Sequence, residues 1–264
     1  IRQPALMELN LKGQHRSLFS NALTGVGPMV AGPLNGQGSL TVFMGGTYIS
    51  RQYPLSHLSQ LIHQDANGWR IDSVHEDLLR SIQRSRGAVW SDLNGDGFAE
   101  LIITTEWGLV RVLQNTRGKL EDRTHAWGLG AHTGLWGGVV SGDMDGNGFP
   151  DLIVGNWGRN SDWQATGKSP FKMYHGDILK TGVREIIETE YHPQKLITPK
   201  RYLSELGAQL PFLFKLAGNN ARYSSLTVRE LFAHYWESLT ALHASTLDTC
   251  LFLNSGNGTF QQVL

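Results

Sequence analysis

Cysteine is almost missing from this chain: Cys250 is the single one in 264 residues. That excludes an internal disulfide and a cysteine-built zinc cluster. Cys250, inside Thr249-Cys250-Leu251-Phe252-Leu253, is left to serve as a small buried hydrophobe. Excess charge is missing too. The formal net charge is +0, so no field draws the chain to nucleic acid or to an anionic membrane. No apolar run approaches the ~18 residues of a membrane span. No secretory leader precedes Ile1, so the chain reads as a mature or truncated piece. Common catalytic signatures are absent as well: no His-Glu-x-x-His, no Gly-x-Ser-x-Gly and no glycine-rich phosphate loop. The histidines are scattered, with His125 and His132 flanking a glycine-rich stretch.

Glycine is abundant instead. Thirty-one glycines without a collagen period point to many turns and short strands. Two of the turns are near copies. Asp92-Leu93-Asn94-Gly95-Asp96-Gly97-Phe98-Ala99-Glu100 and Asp143-Met144-Asp145-Gly146-Asn147-Gly148-Phe149-Pro150-Asp151 place oxygen side chains at positions 1, 3, 5 and 9 and glycine at position 6. A hard cation such as Ca²⁺ takes roughly six to eight oxygens, and a short loop supplies them by aiming alternate side chains inward around a glycine bend. An EF-hand needs a bidentate Glu at position 12 and a helix on each side. Here position 12 is Ile103 or Val154, inside β-branched runs. The pattern is therefore strand–loop–strand. The plain alternative is a pair of hairpin turns, which favour Asn-Gly and Asp-Gly for their positive φ angles. A turn has no need of three crowded carboxylates, whose repulsion a cation relieves.

Weaker copies of the same unit start at Pro33 and at Asp177. The first offers Pro33, Asn35, Gln37 and Thr41 at the ligand positions, without a carboxylate. The second keeps Asp177 and Glu185 at positions 1 and 9 but has Leu179 and Thr181 at 3 and 5. Both read as the same architecture without metal. Leu61–Trp69, Val112–Leu120 and Leu251–Phe260 add a second recurring form, an apolar strand, a polar glycine turn and another strand. One unit is then four antiparallel strands, and such units in tandem are what a β-propeller uses. The expected fold is all-β, one propeller region over 1–264, with a partial unit at 1–26 and units at 27–86, 87–135, 136–170 and 171–264. A loop at 159–170 replaces the outer strands of the third unit, and the last hairpin, resuming at Thr249, closes the fourth.

A helical insertion is expected near residues 196–246. Thr227-Val228-Arg229-Glu230 is a capping box with Leu226 as a staple residue. Leu231, Tyr235, Leu239 and Leu242 follow at helical spacing, and residues 201–217 suggest a shorter helix interrupted at Pro211.

The two acidic loops, each followed by an Asn-x-x-Gly-type hairpin, resemble FG-GAP/VCBS repeats, the blades of integrin α-like propellers. The wider layout resembles the bacterial ASPIC/UnbV-type, cartilage-acidic-protein-like group. It does so through Met44-Gly45-Gly46, the segment Arg51–Pro54, Glu106-Trp107-Gly108, Gly155-Asn156-Trp157-Gly158 and Leu210–Leu213 in the helical insert. The resemblance covers roughly residues 27–264. It implies a seven-bladed or similar propeller, secreted or at the cell surface, with structural calcium between the first and second strands of a blade. Its ligands would be Asp92, Asn94, Asp96 and Glu100 with the Phe98 carbonyl, and Asp143, Asp145, Asn147 and Asp151 with the Phe149 carbonyl. Two calcium sites are expected. The strands present supply about four blades, short of closure. The expected role is a binding, adhesion or scaffold module for a protein or carbohydrate. The alternative is a propeller-platform enzyme or lectin with a cleft around Glu106, Asp162, Trp107, Trp157 and Trp163.

Overall fold

The computed structural model describes residues 6–9, 12, 14–19, 26–36, 40–65, 68–191 and 197–263. Gln37, the expected position 5 of the first weak copy, and most of 1–26 lie outside them. The chain forms two compact units, residues 1–158 with 248–264, and residues 159–247.

The first unit opens on an antiparallel ribbon of β1 (Leu6–Leu9) and β2 (His15–Phe19). The first full sheet runs β3 (Val26–Gly32), β4 (Thr41–Gly46), β5 (Gln60–Asp65) and β6 (Gly68–Ile71), each strand antiparallel to the next. A short helix, α1 (Glu76–Arg80), leads to β7 (Ser85–Ser91), β8 (Glu100–Gly108), β9 (Val110–Thr116) and β10 (Lys119–Asp122), the second sheet. β11 (Gly134–Leu135) pairs with the far end of β8. β12 (Val139–Gly142) and β13 (Asp151–Val154) then begin a third sheet.

The second unit follows in sequence. Its sheet contains β14 (Phe171–Gly176), β15 (Glu185–Tyr191) and β16 (Ile197–Pro199). Four short helices come next, α2 (Leu203–Gln209), α3 (Phe212–Ala217), α4 (Asn220–Ser225) and α5 (Val228–Leu231), and a 3₁₀ turn over Ala233–Ser238. β17 (Thr240–Ala244) then pairs with β14. Back in the first unit, β18 (Cys250–Asn254) and β19 (Phe260–Val263) complete the third sheet in the order β12-β13-β18-β19. The molecule is mostly β, and among the described residues none of its sheets closes on itself.

Two expectations change here. The hairpin after Thr249 belongs to the third sheet, because Leu152, Ile153 and Val154 pair with Phe252, Leu251 and Cys250. Its apolar alternation buries Cys250 and Phe252 in the same core as Leu152 and Val154, as a third strand of that sheet would. The helical insertion is also shorter than 196–246. Residues 197–199 and 240–244 are strands, so Leu242 lies opposite Met173 in a ladder. The capping box at Thr227 is present and the break at Pro211 separates α2 from α3. The helices cover one face of their sheet, where Tyr174, Ile178 and Ile187 share a core with Leu203, Leu206, Leu213, Leu231 and Phe232.

Neighbouring sheets of the first unit stack through apolar faces. Leu34, Phe43 and Leu61 of the first share a core with Leu101, Ile103, Leu113 and Leu120 of the second. Leu93, Ile102 and Val112 on the opposite face of the second share one with Leu152, Val154, Phe252 and Phe260 of the third. Each junction also carries a fully buried asparagine. Asn115 Nδ2 donates to the carbonyls of Leu34 (2.9 Å) and Ala99 (3.0 Å), and its Oδ1 accepts Gly118 N–H (2.8 Å). Asn254 repeats this with Leu93 (2.7 Å), Pro150 (3.1 Å) and Gly256 (3.0 Å). One amide thus ties its own turn, its own loop and the loop of the preceding sheet.

Truncating either asparagine leaves buried backbone groups without partners, at ~1–3 kcal/mol each. Asn115→Ala and Asn254→Ala should each lower stability by about 3 kcal/mol in urea titrations followed by tryptophan fluorescence.

Candidate metal centre

Each acidic loop must turn the chain between two ladder-paired strands, and the N–H groups inside the turn need acceptors. The acidic side chains supply them. Asp92 Oδ1 accepts Gly95 N–H (2.9 Å) and Asp96 N–H (3.2 Å), and its Oδ2 accepts Gly97 N–H (2.9 Å). Asp143 repeats the set with Gly146 (2.8 Å), Asn147 (3.2 Å) and Gly148 (2.9 Å). Positions 3 and 5 bind shorter spans. Asn94 Oδ1 accepts Asp96 N–H (2.9 Å) and Asp96 Oδ1 accepts Phe98 N–H (2.8 Å). In the other loop Asp145 Oδ1 accepts Asn147 N–H (3.1 Å) and Asn147 Oδ1 accepts Phe149 N–H (2.8 Å). The fold requires positive φ at positions 4 and 6, met by Gly95 (+74°) and Gly97 (+85°), and by Gly146 (+76°) and Gly148 (+90°).

Position 9 sits at the neck of the loop and is fully buried in both copies. Glu100 Oε2 accepts Leu93 N–H (2.8 Å) and its Oε1 accepts Asn115 N–H (3.4 Å). Asp151 accepts Met144 N–H (2.7 Å) and Asn254 N–H (2.7 Å). Burial pushes the Glu100 pKa up to about 7, against the pull of the two N–H groups and with help from the Asp96 and Asp92 charges. A cation at the loop would favour the ionised form.

The copy at Asp177 shows which positions its fold uses. Asp177 accepts Thr181 N–H (2.8 Å) and Gly182 N–H (3.0 Å), and Glu185 accepts Ile178 N–H (2.7 Å). Positions 1 and 9 are thus retained where 3 and 5 have lost their carboxylates. In the first copy the position-9 residue is Thr41, buried and bonded through Oγ1 to His63 Nδ1 (2.9 Å). His63 and His75 both bond Asp72, and His75 Nε2 accepts Leu120 N–H (3.0 Å).

The spacing of the carboxylates differs between the acidic loops. Asp143, Asp145 and Asp151 each offer a carboxylate oxygen, all within 4.8 Å of one another. Among the described residues this is the one group of three that meets that spacing; Asp92, Asp96 and Glu100 stand further apart. Each carboxylate oxygen has two lone pairs, so an oxygen that accepts a loop N–H can still face a cation. An all-oxygen, three-carboxylate set suits a hard cation.

Sequence reading also pointed to Glu106. In the structure its carboxylate accepts the Tyr48 and Tyr53 hydroxyls, the latter at 3.0 Å, with Arg86 Nε at 3.5 Å. Trp107 Nε1 donates to Tyr53 Oη (2.7 Å), and Arg84 Nε donates to the Glu106 carbonyl (3.0 Å). The segment Arg51–Pro54 and the Glu106-Trp107-Gly108 motif are therefore one hydrogen-bonded cluster, which sequence alone could not join. Asp162 and Trp163 belong to the second unit, where Trp163 stacks on Phe171 with ring centroids 5.0 Å apart.

An FG-GAP-like repeat is found at residues 92–154, from the first position of one acidic loop to the end of β13. Comparison with curated proteins finds no match.

Burial raises the Glu106 pKa from 4.5 to about 7. The folded state then holds a proton that the unfolded chain releases, so stability from this group is full below about pH 4.5 and is lost as pH rises through 7. Melting temperature should fall from pH 5 to pH 8, and Glu106→Gln should flatten that fall in a pH series by calorimetry.

Proposed function

We propose that this chain is a calcium-stabilised set of β-propeller blades that acts as an extracellular binding or scaffold module. The observation that carries the reading is the convergence of Asp143, Asp145 and Asp151 in a loop of the FG-GAP-like repeat. Asn147 Oδ1 and the Phe149 carbonyl would add oxygens there. Asp92, Asn94, Asp96 and Glu100 with the Phe98 carbonyl would form the second site once a cation draws them in. Calcium would neutralise carboxylates that repel one another and would hold the loop at the neck between two strands. Loops of this kind bind at roughly 10⁻⁴–10⁻³ M in extracellular modules, which suits a calcium-rich compartment. Stacked four-stranded sheets with repeated junctions support a propeller arrangement.

Asp145 is exposed and takes only short bonds from Asn147, so its loss should hardly disturb the metal-free fold. At about 100 times the dissociation constant a single site adds ~2.7 kcal/mol, a rise of roughly 5–10 °C in melting temperature for a unit of this size. Asp145→Ala together with Asp96→Ala should leave the melt in EDTA within about 2 °C of wild type and remove most of the calcium-induced rise. Asp177→Ala should lower the melt equally with and without calcium. A full calcium shift in the double variant would take these loops out of the account.

A further inference from the structure

Four Asn-Gly pairs lie among the described residues: Asn35-Gly36, Asn94-Gly95, Asn147-Gly148 and Asn257-Gly258. Such a pair is chemically labile. The glycine amide nitrogen, once hydroxide has taken its proton, attacks the asparagine side-chain carbonyl carbon. A C–N bond forms, the side-chain nitrogen leaves as ammonia, and water opens the resulting succinimide to aspartate or isoaspartate. Glycine permits the attack because no Cβ hinders the approach. In a folded chain two neighbours set the rate. An acceptor on the glycine N–H holds the nucleophile protonated and away from the carbonyl. A donor on the carbonyl oxygen draws electrons from the carbon under attack.

The four pairs share a backbone and differ in these neighbours. Their glycines all have left-handed φ, +84°, +74°, +90° and +77° in chain order. In the acidic loops the position-1 carboxylate holds the nitrogen. Gly95 N–H donates to Asp92 Oδ1 (2.9 Å), and Gly148 N–H donates to Asp143 Oδ2 (2.9 Å). The first weak copy has Pro33 at position 1, and Gly36 N–H finds no acceptor among the described residues. In the turn between β18 and β19, Gly258 N–H finds none either. There Thr259 Oγ1 donates to Asn257 Oδ1, the oxygen of the carbonyl to be attacked. Asn94 Oδ1 and Asn147 Oδ1 also have donors, from Asp96 N–H and Phe149 N–H, so their held glycine nitrogens are what set them apart. Asn257 alone of the four combines an unheld nitrogen with a polarised carbonyl.

We propose that Asn257 is a site of slow hydrolytic modification, and that Asp92 and Asp143 protect the acidic loops from the same reaction. The product matters locally. Isoaspartate at 257 adds a backbone carbon and a negative charge to a turn closed by Ser255 N–H on the Thr259 carbonyl (3.0 Å). The next residue, Phe260, is buried and donates its N–H to the Trp127 carbonyl (2.9 Å). Ageing of the molecule therefore loosens the last hairpin of the third sheet.

The full chain, aged at mildly alkaline pH in EDTA, is to be assayed for aspartate and isoaspartate at each pair by peptide mass spectrometry. In the folded chain Asn257 should react at least about tenfold faster than Asn94 and Asn147, the cost of first breaking an N–H bond to a carboxylate. In urea, where no such bond persists, the four rates should draw together. Asp92→Ala should speed Asn94 about tenfold, and Pro33→Asp, which gives the first weak copy a position-1 acid, should slow Asn35 by a similar factor. Thr259→Val should slow Asn257 in the folded chain and leave its rate in urea unchanged. Should Asp92→Ala unfold the chain, Pro33→Asp still decides the role of the acid. Equal rates at Asn257, Asn94 and Asn147 in the folded chain overturn the proposal, as does the same ratio folded and in urea. An unchanged Asn35 rate in folded Pro33→Asp overturns the protection by position-1 acids.

Discussion

A tight turn between two β-strands leaves N–H groups that no ladder can satisfy, and in the loops at Asp92, Asp143 and Asp177 a carboxylate at each end meets that demand. The neck is the more constrained of the two. Glu100, Asp151 and Glu185 each accept the N–H of the position-2 residue, and the first two lie wholly out of solvent. An unsatisfied buried amide costs ~1–3 kcal/mol, so an apolar residue at that place would leave the turn open. The position-2 residue then becomes a junction. Leu93 gives its N–H to Glu100 of its own sheet and receives on its carbonyl the amide of Asn254 from the next. Loop closure within a sheet and registry between sheets are therefore set at one residue.

Much of this was legible in the sequence because it rests on local chemistry. Glycines at positions 4 and 6, alternating oxygens and the flanking β-branched runs fixed β7, β8, β12 and β13 closely, and Thr227 to Glu230 marked the start of α5. What stayed hidden was non-local. The hairpin after Thr249 carries the same apolar alternation whichever sheet it joins, and only pairing with Leu152 to Val154 decides the matter. Leu242 keeps helical spacing from Leu231 and Leu239, yet a ladder with β14 overrides that weak local preference. Asn115 and Asn254 read as turn residues, since a turn signal does not reveal that the amide is buried and shared with a neighbouring loop.

The structure separates the positions of these loops by what each does for the backbone. Positions 1 and 9 carry bonds that the fold needs. Positions 3 and 5 carry bonds spanning two residues at the exposed tip, which are cheap to lose. The loop at Asp177 shows the separation directly. It keeps the acids at 1 and 9, substitutes Leu179 and Thr181 between them, and still forms the same turn, with Lys180 at φ +54° where the acidic loops have glycine. Selection for the turn alone explains Asp177 and Glu185. It does not explain Asp145 and Asp96, which add negative charge next to other carboxylates and return little to the backbone.

That residue of unexplained charge is the argument for a cation, and it also says where the demand is greatest. Three carboxylates that converge on one point raise the free energy of the metal-free loop. In the second acidic loop Asp143, Asp145 and Asp151 already converge, held there by backbone donors on Asp143 and Asp151. In the first, Glu100 answers its burial by shifting its pKa up to about 7, so that loop can shed charge by binding a proton. The two loops share a sequence pattern but differ in geometry: in the second, three carboxylate oxygens lie within 4.8 Å of one another.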